Sequence, residues 1–247
     1  MRSFLGAFAA LVLFAAPAAA QAPSRVFANI NFGFQSQSQD FTQSGEFPLY
    51  DETGTFEAAH KLEGGPFFDL GAGVTLMKNF SIGVSYTQRT ATTRDAQISA
   101  TVPHPIFFDT PRTATGSATG LEHTERAFHV QALYHVPVTV EFDVTLFAGP
   151  TFFNVEDELI ESVTPGEVGG DFSQVNLDTI GRSSQKNSAT GFNAGIDLRY
   201  MFMRNVGVGG MARFTRGSVT LTSPSGGADI KTDVGGLEIA GGLRFRF

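Results

Sequence analysis

From Val26 onward the chain alternates in twos. Val26, Ala28, Ile30, Phe32 and Phe34 are apolar, and Asn29, Asn31, Gly33 and Gln35 fall between them. The same alternation returns at Phe68–Leu76, Phe80–Tyr86, Phe128–Val136, Val140–Ala148, Phe192–Phe202, Val206–Phe214 and Leu237–Phe247. Period two is the signature of a strand with two unlike faces, and no helical period interrupts it. Each run is about ten residues long, which suits the roughly 9–11 residues a tilted strand needs to cross a bilayer. The connections carry separate information. Met77-Lys78-Asn79, Pro137 and Met203-Arg204-Asn205 are tight turns, whereas long polar stretches occupy 36–62, 91–123 and 154–189, with a shorter one at 221–230. Short turns on one rim and long loops on the other are the layout of an outer-membrane barrel. The pattern predicts an all-β fold, an eight-stranded antiparallel transmembrane β-barrel with short periplasmic turns and long extracellular loops. Segments 97–102 and 172–180 could extend strands above the membrane or add a hairpin and make ten. Neither has an apolar face fit for lipid, so eight is the expectation.

The first residues have a different logic. Met1-Arg2 is a short positive start, Phe4 to Ala16 is an uncharged apolar run, and Pro17 precedes Ala18-Ala19-Ala20. This is the pattern of a signal peptide over 1–20, cut after 20 or 22, which leaves 23–247 as the barrel. Thirteen apolar residues are too few to span a bilayer as a helix. Export from a Gram-negative cell, together with the strand pattern, places the mature chain in the outer membrane.

Composition then narrows the chemistry. Of 247 residues, 42% are hydrophobic and only 17% charged, with 28 Gly, 25 Phe, 4 Tyr and neither Trp nor Cys. So much apolar side chain excludes a disordered polymer. The lack of Cys excludes a disulfide scaffold, a thiolate metal site and a cysteine nucleophile. A net charge of −7 leaves no electrostatic footprint for nucleic acid.

Alternation alone does not say which face is outside. The rival is a soluble eight-stranded barrel with its apolar residues inward. The polar face argues against that rival. It carries no Lys on the central strands and many glycines, among them Gly33, Gly71, Gly73, Gly83, Gly195, Gly207, Gly209 and Gly242, which suit a crowded lumen. Its charges also balance. Asp69, Glu125, Glu141, Asp143, Asp197 and Glu238 oppose Arg25, Arg89, Arg199, Arg213, Arg244 and Arg246. Buried charge has to be paired, so an internal ion-pair network is expected. On the opposite parity, Phe80, Tyr134, Phe202, Phe245 and Phe247 fall near the periplasmic rim, and Phe68, Tyr86, Phe128, Phe192 and Phe214 near the outer rim, as interfacial girdles. Arg94, Arg126 and Arg216 share the lipid-facing parity near the outer rim. Arginine pairs well with phosphate, so these three are candidates for lipopolysaccharide contact.

The chain ends in Leu243-x-Phe245-x-Phe247. This terminus is similar to the signal read by the outer-membrane barrel assembly machinery. With the leader and the loop asymmetry, the chain resembles the small OmpA-like or opacity-type β-barrel superfamily over nearly all of its mature length. The resemblance implies assembly by that machinery and a mostly filled lumen. The sequence holds no periplasmic peptidoglycan-binding domain after the barrel, so cell-wall anchoring is not implied.

Candidate catalytic groups are sparse. His60, His104 and His123 fall in or beside long polar stretches, and His129 and His135 face the lumen. His135 could pair with Asp143 or Glu141 across the Pro137 turn. No nucleophile, base and orienter fall together, so an enzyme is not expected. Glu156, Asp157, Glu158, Glu161, Glu167, Asp171 and Asp178 crowd the third polar stretch without the spacing of a calcium loop, and no cofactor or metal is expected. An eight-stranded barrel holds side chains or one small ligand rather than a wide pore. The leading expectation is a monomer with a structural or surface-interaction role exercised through its extracellular loops. The alternative is a narrow conduit for small hydrophobic solutes, lined by Phe67, Leu133, Phe147 and Phe153.

Overall fold

The computed structural model describes residues 25–36 and 39–247. The signal peptide expected over 1–20, and both cut sites, lie outside the described residues. Ten strands follow in order: β1 (Val26–Ser36), β2 (Gln39–Leu49), β3 (Glu52–Leu62), β4 (Gly65–Met77), β5 (Phe80–Val102), β6 (Arg112–Pro137), β7 (Phe142–Val168), β8 (Gln174–Tyr200), β9 (Val206–Leu221) and β10 (Ile230–Arg246). All pairings are antiparallel, in the order β2-β3-β5-β4-β1-β10-β9-β8-β7-β6, and β5 also pairs with β6. That second pairing closes a ring of eight strands, β1 and β4 to β10. The first and last strands seal it, with Phe27 opposite Arg246 and Ser36 opposite Leu237.

The hairpin β2–β3 stands outside the ring. Its Thr55–His60 run pairs with Ala96–Thr101, on the part of β5 far from the tight turns. The extra hairpin therefore comes from the first polar stretch, whereas 97–102 and 174–180 simply lengthen β5 and β8. The other long polar stretches also differ from expectation. Strands β6, β7 and β8 run for 26, 27 and 27 residues, far longer than a crossing needs. Most of 91–123 and 154–189 is therefore strand, not loop.

The reason lies in the side chains. Thr113, Thr115, Ser117 and Thr119 face outward on β6, and Ala114, Ala118 and Leu121 are buried. The period of two holds on either side of a bulge at Gly120, where the buried parity changes. Its apolar members shrink to alanine and its polar members become Thr and Ser, so the stretch looks polar while remaining strand.

The molecule consequently has two storeys of opposite polarity. In the lower storey the outward residues are large and apolar, including Phe32, Ile82, Phe128, Val130, Leu146, Ile196 and Ile239, all exposed. The inward residues there are polar and buried, including Asn31, Asp69, Thr87, His129, Asn193 and Arg213. In the upper storey, called the head below, the polarity reverses. Phe47, Phe56, Ile98, Leu121, Ile160 and Val163 form one inner core. Phe153, Val155, Leu159, Val219, Leu221 and Ile230 form a second. Burying such side chains contributes about 1.5–3 kcal/mol each, so the head is held as a water-soluble domain is held.

Candidate functional site

The lumen is filled by two guanidinium-centred networks. Arg213, at the middle of β9, donates to Glu238 Oε2 at 2.7 Å, Asp69 Oδ2 at 3.0 Å, Ser85 Oγ at 3.0 Å and Thr87 Oγ1 at 2.5 Å. Arg244 on β10 donates to Asp197 Oδ2 at 2.5 Å and to Asn31 Oδ1 at 2.6 Å. Asn31 donates in turn to Asp69 Oδ1 at 2.8 Å, so Asp69 joins the two networks. Gly209 makes room for this arrangement, because a Cβ there would lie 2.7 Å from Arg244 Nε. Arg89 stands 3.9 Å from Glu125, and Arg199 stands 3.8 Å from Asp143. Of the twelve charges expected to pair, nine do so.

Glu141, Arg25 and Arg246 depart from that expectation. The strand begins at Phe142, and Thr139 Oγ1 accepts from the N–H groups of Glu141 and Phe142, so Glu141 sits on an exposed turn. Arg25 and Arg246 lie at the tight-turn mouth, where their side chains make no ion pair among the described residues. His135 also departs from expectation. It bonds Ser81 Oγ at 2.7 Å and Thr145 Oγ1 at 2.8 Å, not Asp143 or Glu141. Register explains this, since Thr145 lies directly opposite His135 while Asp143 lies opposite Pro137. His129 likewise bonds Thr87 and Thr151.

An apolar cluster of Phe27, Phe67, Leu133, Phe147, Met211 and Ala240 occupies the lumen beside the charges. Phe153, the fourth residue expected to line a conduit, belongs to the core of the head. The space left at this level is about 20 Å³, enough for little more than one water.

Buried neutral amides were missed by the sequence reading. Asn31, Gln35, Gln43 and Asn193 are all essentially without exposure. Asn31, Gln35 and Asn193 sit at polar positions of clean alternating runs, which was the available signal. Gln43 lies in a stretch read as loop and gave none.

Gln43 fastens the hairpin across the mouth of the ring. Its Nε2 donates to Ile160 O at 2.6 Å and its Oε1 accepts from Ile160 N at 3.0 Å. The pairing of β7 with β8 slips between Ile160 and Ser162, beside this contact. Glu46 N donates to Ser225 O, and the hydroxyls of Ser223 and Ser225 donate to Ser44 O. The hairpin is thus bonded to β5, to β7 and to the β9–β10 turn.

Beneath it His123 Nδ1 lies 2.7 Å from Asp157 Oδ1, with Glu125 at 3.9 Å from the other nitrogen. Burial alone would lower the His123 pKa, but the bonds to Asp157 and Glu125 and their charges outweigh it and raise it above 6.5. The remaining carboxylates of the third polar stretch disperse. Glu156 pairs with Lys186 at 3.1 Å and Glu158 with Arg182 at 3.9 Å.

At the summit three turns meet. Glu167 Oε1 accepts from Arg112 Nη2 at 2.7 Å and from Tyr50 OH at 3.0 Å. Arg112 also donates to Pro103 O and Phe172 O. The bonds with Arg112 hold the Glu167 carboxyl below its ordinary pKa, against a smaller opposing effect of burial. All four non-glycine residues with positive φ among the described residues lie on these turns: Tyr50 at 55°, Asp51 at 61°, Asp109 at 54° and Phe172 at 55°. For bulky residues this region is costly and persists only where surroundings enforce it. Held in this frame, Ile106, Phe107 and Phe108 are 60%, 61% and 71% exposed.

The lipopolysaccharide candidates divide. Arg126 and Arg216 stand one pleat beyond the outward Phe128 and Phe214, at the border between the storeys. Arg216 is already paired with Asp233 at 2.8 Å. The Arg94 side chain lies outside the described residues. Leu243, Phe245 and Phe247 point outward from β10, which is paired on both edges.

A closed ring of eight antiparallel strands, apolar outside and polar inside, defines a small transmembrane β-barrel of the outer-membrane type. No protein-family model and no curated protein matches the sequence. Solved structures do match in overall shape. The outer membrane protein OprG from Pseudomonas aeruginosa is 12% identical, with a TM-score of 0.47, over 91% of this chain and 97% of that one. The outer membrane protease OmpT from Escherichia coli is 11% identical, with a TM-score of 0.48, over 92% and 98%. The attachment invasion locus protein Ail of Yersinia pestis is 12% identical, with a TM-score of 0.38, over 90% and 99%. These are likenesses of architecture.

Proposed function

We propose that the protein is a non-catalytic, monomeric outer-membrane barrel that holds a rigid head above the cell surface and acts through what that head touches. The observation that carries this reading is the exposed Ile106-Phe107-Phe108 at the summit. Three consecutive large apolar side chains in water are unfavourable unless something covers them. The turn that carries them is fastened at its base, where Arg112 donates to Pro103 O, and within itself, where His104 Nδ1 accepts from the N–H groups of Ile106 and Phe107, so they are presented in a fixed shape rather than on a loose tip. Aromatic anchors on rigid scaffolds dominate binding at protein interfaces. The acids beside them, Asp51, Asp109 and Asp171, favour a basic partner surface over an anionic one. A filled lumen supports this reading over a conduit for small hydrophobic solutes.

In the same reading Leu243, Phe245 and Phe247 engage the barrel assembly machinery, and Arg126 and Arg216 engage lipopolysaccharide. The test compares cells displaying the protein with cells displaying the triple variant Ile106→Ser, Phe107→Ser, Phe108→Ser, at equal surface amounts. Attachment to a protein-coated surface is expected to fall about tenfold or more. Refolded protein in a planar bilayer is expected to stay electrically silent. Unchanged attachment, together with discrete and reproducible channel openings, would transfer the assignment to the conduit.

A further inference from the structure

The tight-turn mouth of the ring is not filled. Below the lumen networks it widens into a cup of about 540 Å³. Arg25, Lys78, Arg199 and Arg246 line it, and Asp143 is the one carboxylate in its lining among the described residues. They arrive from four places around the rim: the residue before β1, the β4–β5 turn, β8 and β10.

Their pairing differs from everything deeper in the barrel. Arg213 is held by carboxylates and hydroxyls and Arg244 by a carboxylate and an amide oxygen, but Arg25, Lys78 and Arg246 have no side-chain partner among the described residues. Arg199 is the informative member. Its side chain is only 9% exposed and Asp143 lies 3.8 Å away, beyond hydrogen-bond distance. Its Nε has no hydrogen-bond partner among the described residues. A buried guanidinium N–H without an acceptor is costly, and Arg199 belongs to the lining of the cup. The Arg199 guanidinium carbon stands 5.5 Å from the centre of the Phe27 ring, which fixes its direction. Two acidic groups stand nearby outside the lining: Glu141 on the next turn, and the carboxylate of Phe247, whose N–H is bonded to Val26 O.

We propose that this cup is an anion site on the periplasmic side, built for a phosphate group. Four cations around one carboxylate in a part-walled cavity attract such a group much more strongly than the same charges spread over an open surface. Arginine forks match phosphate oxygens in pairs, and Arg199 brings to the lining a guanidinium whose Nε–H lacks an acceptor among the described residues. The volume exceeds that of a bare phosphate, and Phe27, Leu76 and Met77 give the remainder an apolar wall. Two sources of such a group reach this rim, the headgroup of an inner-leaflet phospholipid and a free phosphate compound of the periplasm. The site is independent of the summit and of the surface role proposed above.

The experiment follows the arginine side-chain Nε–H signals by NMR in a phosphate-free detergent while inorganic pyrophosphate is added at constant ionic strength. The Arg199 signal is expected to move saturably while that of Arg213, sealed in the lumen, stays fixed as a check on folding. In the double variant Arg25→Gln, Arg246→Gln, affinity is expected to fall about tenfold with the Arg213 signal unchanged. Nanodiscs containing phosphatidylglycerol, compared with phosphatidylcholine alone, separate the sources. A shift produced by the lipid that pyrophosphate cannot add to assigns the cup to headgroups. A shift produced only by pyrophosphate assigns it to a soluble phosphate. An Arg199 signal that ignores both, or one that responds identically in the double variant, overturns the proposal.

Discussion

Single side chains in this protein act by what they leave paired or unpaired. His123 is the clearest titratable case in the head. Its pKa is raised above 6.5 by Asp157 and Glu125. Its protonated form therefore stabilises the folded head. That contribution is fully present below the ordinary histidine pKa and is lost as pH rises through the raised one. Thermal unfolding of the head is expected to move to lower temperature as pH rises above the ordinary histidine pKa of about 6.5, and His123→Gln is expected to flatten that slope. An equal slope in the variant would remove His123 from the explanation. The sequence had marked His123 as a residue beside a polar stretch. Its partner Asp157 was hidden among six other acids, because only the pairing of β6 with β7 selects one of them. The lumen residues were more legible. Parity alone named Asp69, Asp197, Glu238, Arg213 and Arg244, since a strand that alternates without fault leaves a charged side chain only one side to face.

At the scale of elements, the ring was legible and the head was not. The eight crossing strands have large apolar residues on every second position, and lipid demands nothing subtler. The upper parts of β5 and β6 are rich in alanine, threonine and serine, which also fill loops, and register shifts interrupt the period in β5 to β8. The hairpin β2–β3 is harder still, for its place depends on its pairing with β5 and on scattered polar contacts, Gln43 among them. Gln43 supplies an acceptor and a donor to the Ile160 peptide groups, at a residue of β7 that the pairing with β6 does not reach. Gln43→Leu would leave both Ile160 groups unsatisfied in a dry setting, at a cost of about 3 kcal/mol. Hydrogen exchange is expected to quicken across β2 and β3 while amides of β1 and β10 keep their protection. Equal loss of protection throughout would mean that hairpin and ring unfold as one unit.

The whole molecule joins two folding regimes along one axis. The head excludes water from an apolar core, and the barrel excludes lipid from a polar one. Arg126 and Arg216 stand at the seam, where lipopolysaccharide phosphates would lie. Exchange of both for Gln is expected to reduce the thermal stabilisation gained from added lipopolysaccharide. Arg126 should carry the larger share, because Arg216 already has Asp233 as a partner. Stabilisation that persists undiminished in the double variant would separate these arginines from the lipid.

The apolar exterior also has a height, and height can be read as an address. On β6 it runs from Phe128 to Val136, nine residues. At about 3.3 Å per residue and a tilt of roughly 40°, this amounts to about 23 Å along the membrane normal. A typical bilayer core is about 30 Å thick, and the bacterial outer membrane is thinner than average. In a thicker bilayer, threonines of the head or the charged turns at the other end would be drawn into hydrocarbon. The belt therefore acts as a depth gauge, making the thin membrane the one in which this chain fits without distorting either itself or the lipid.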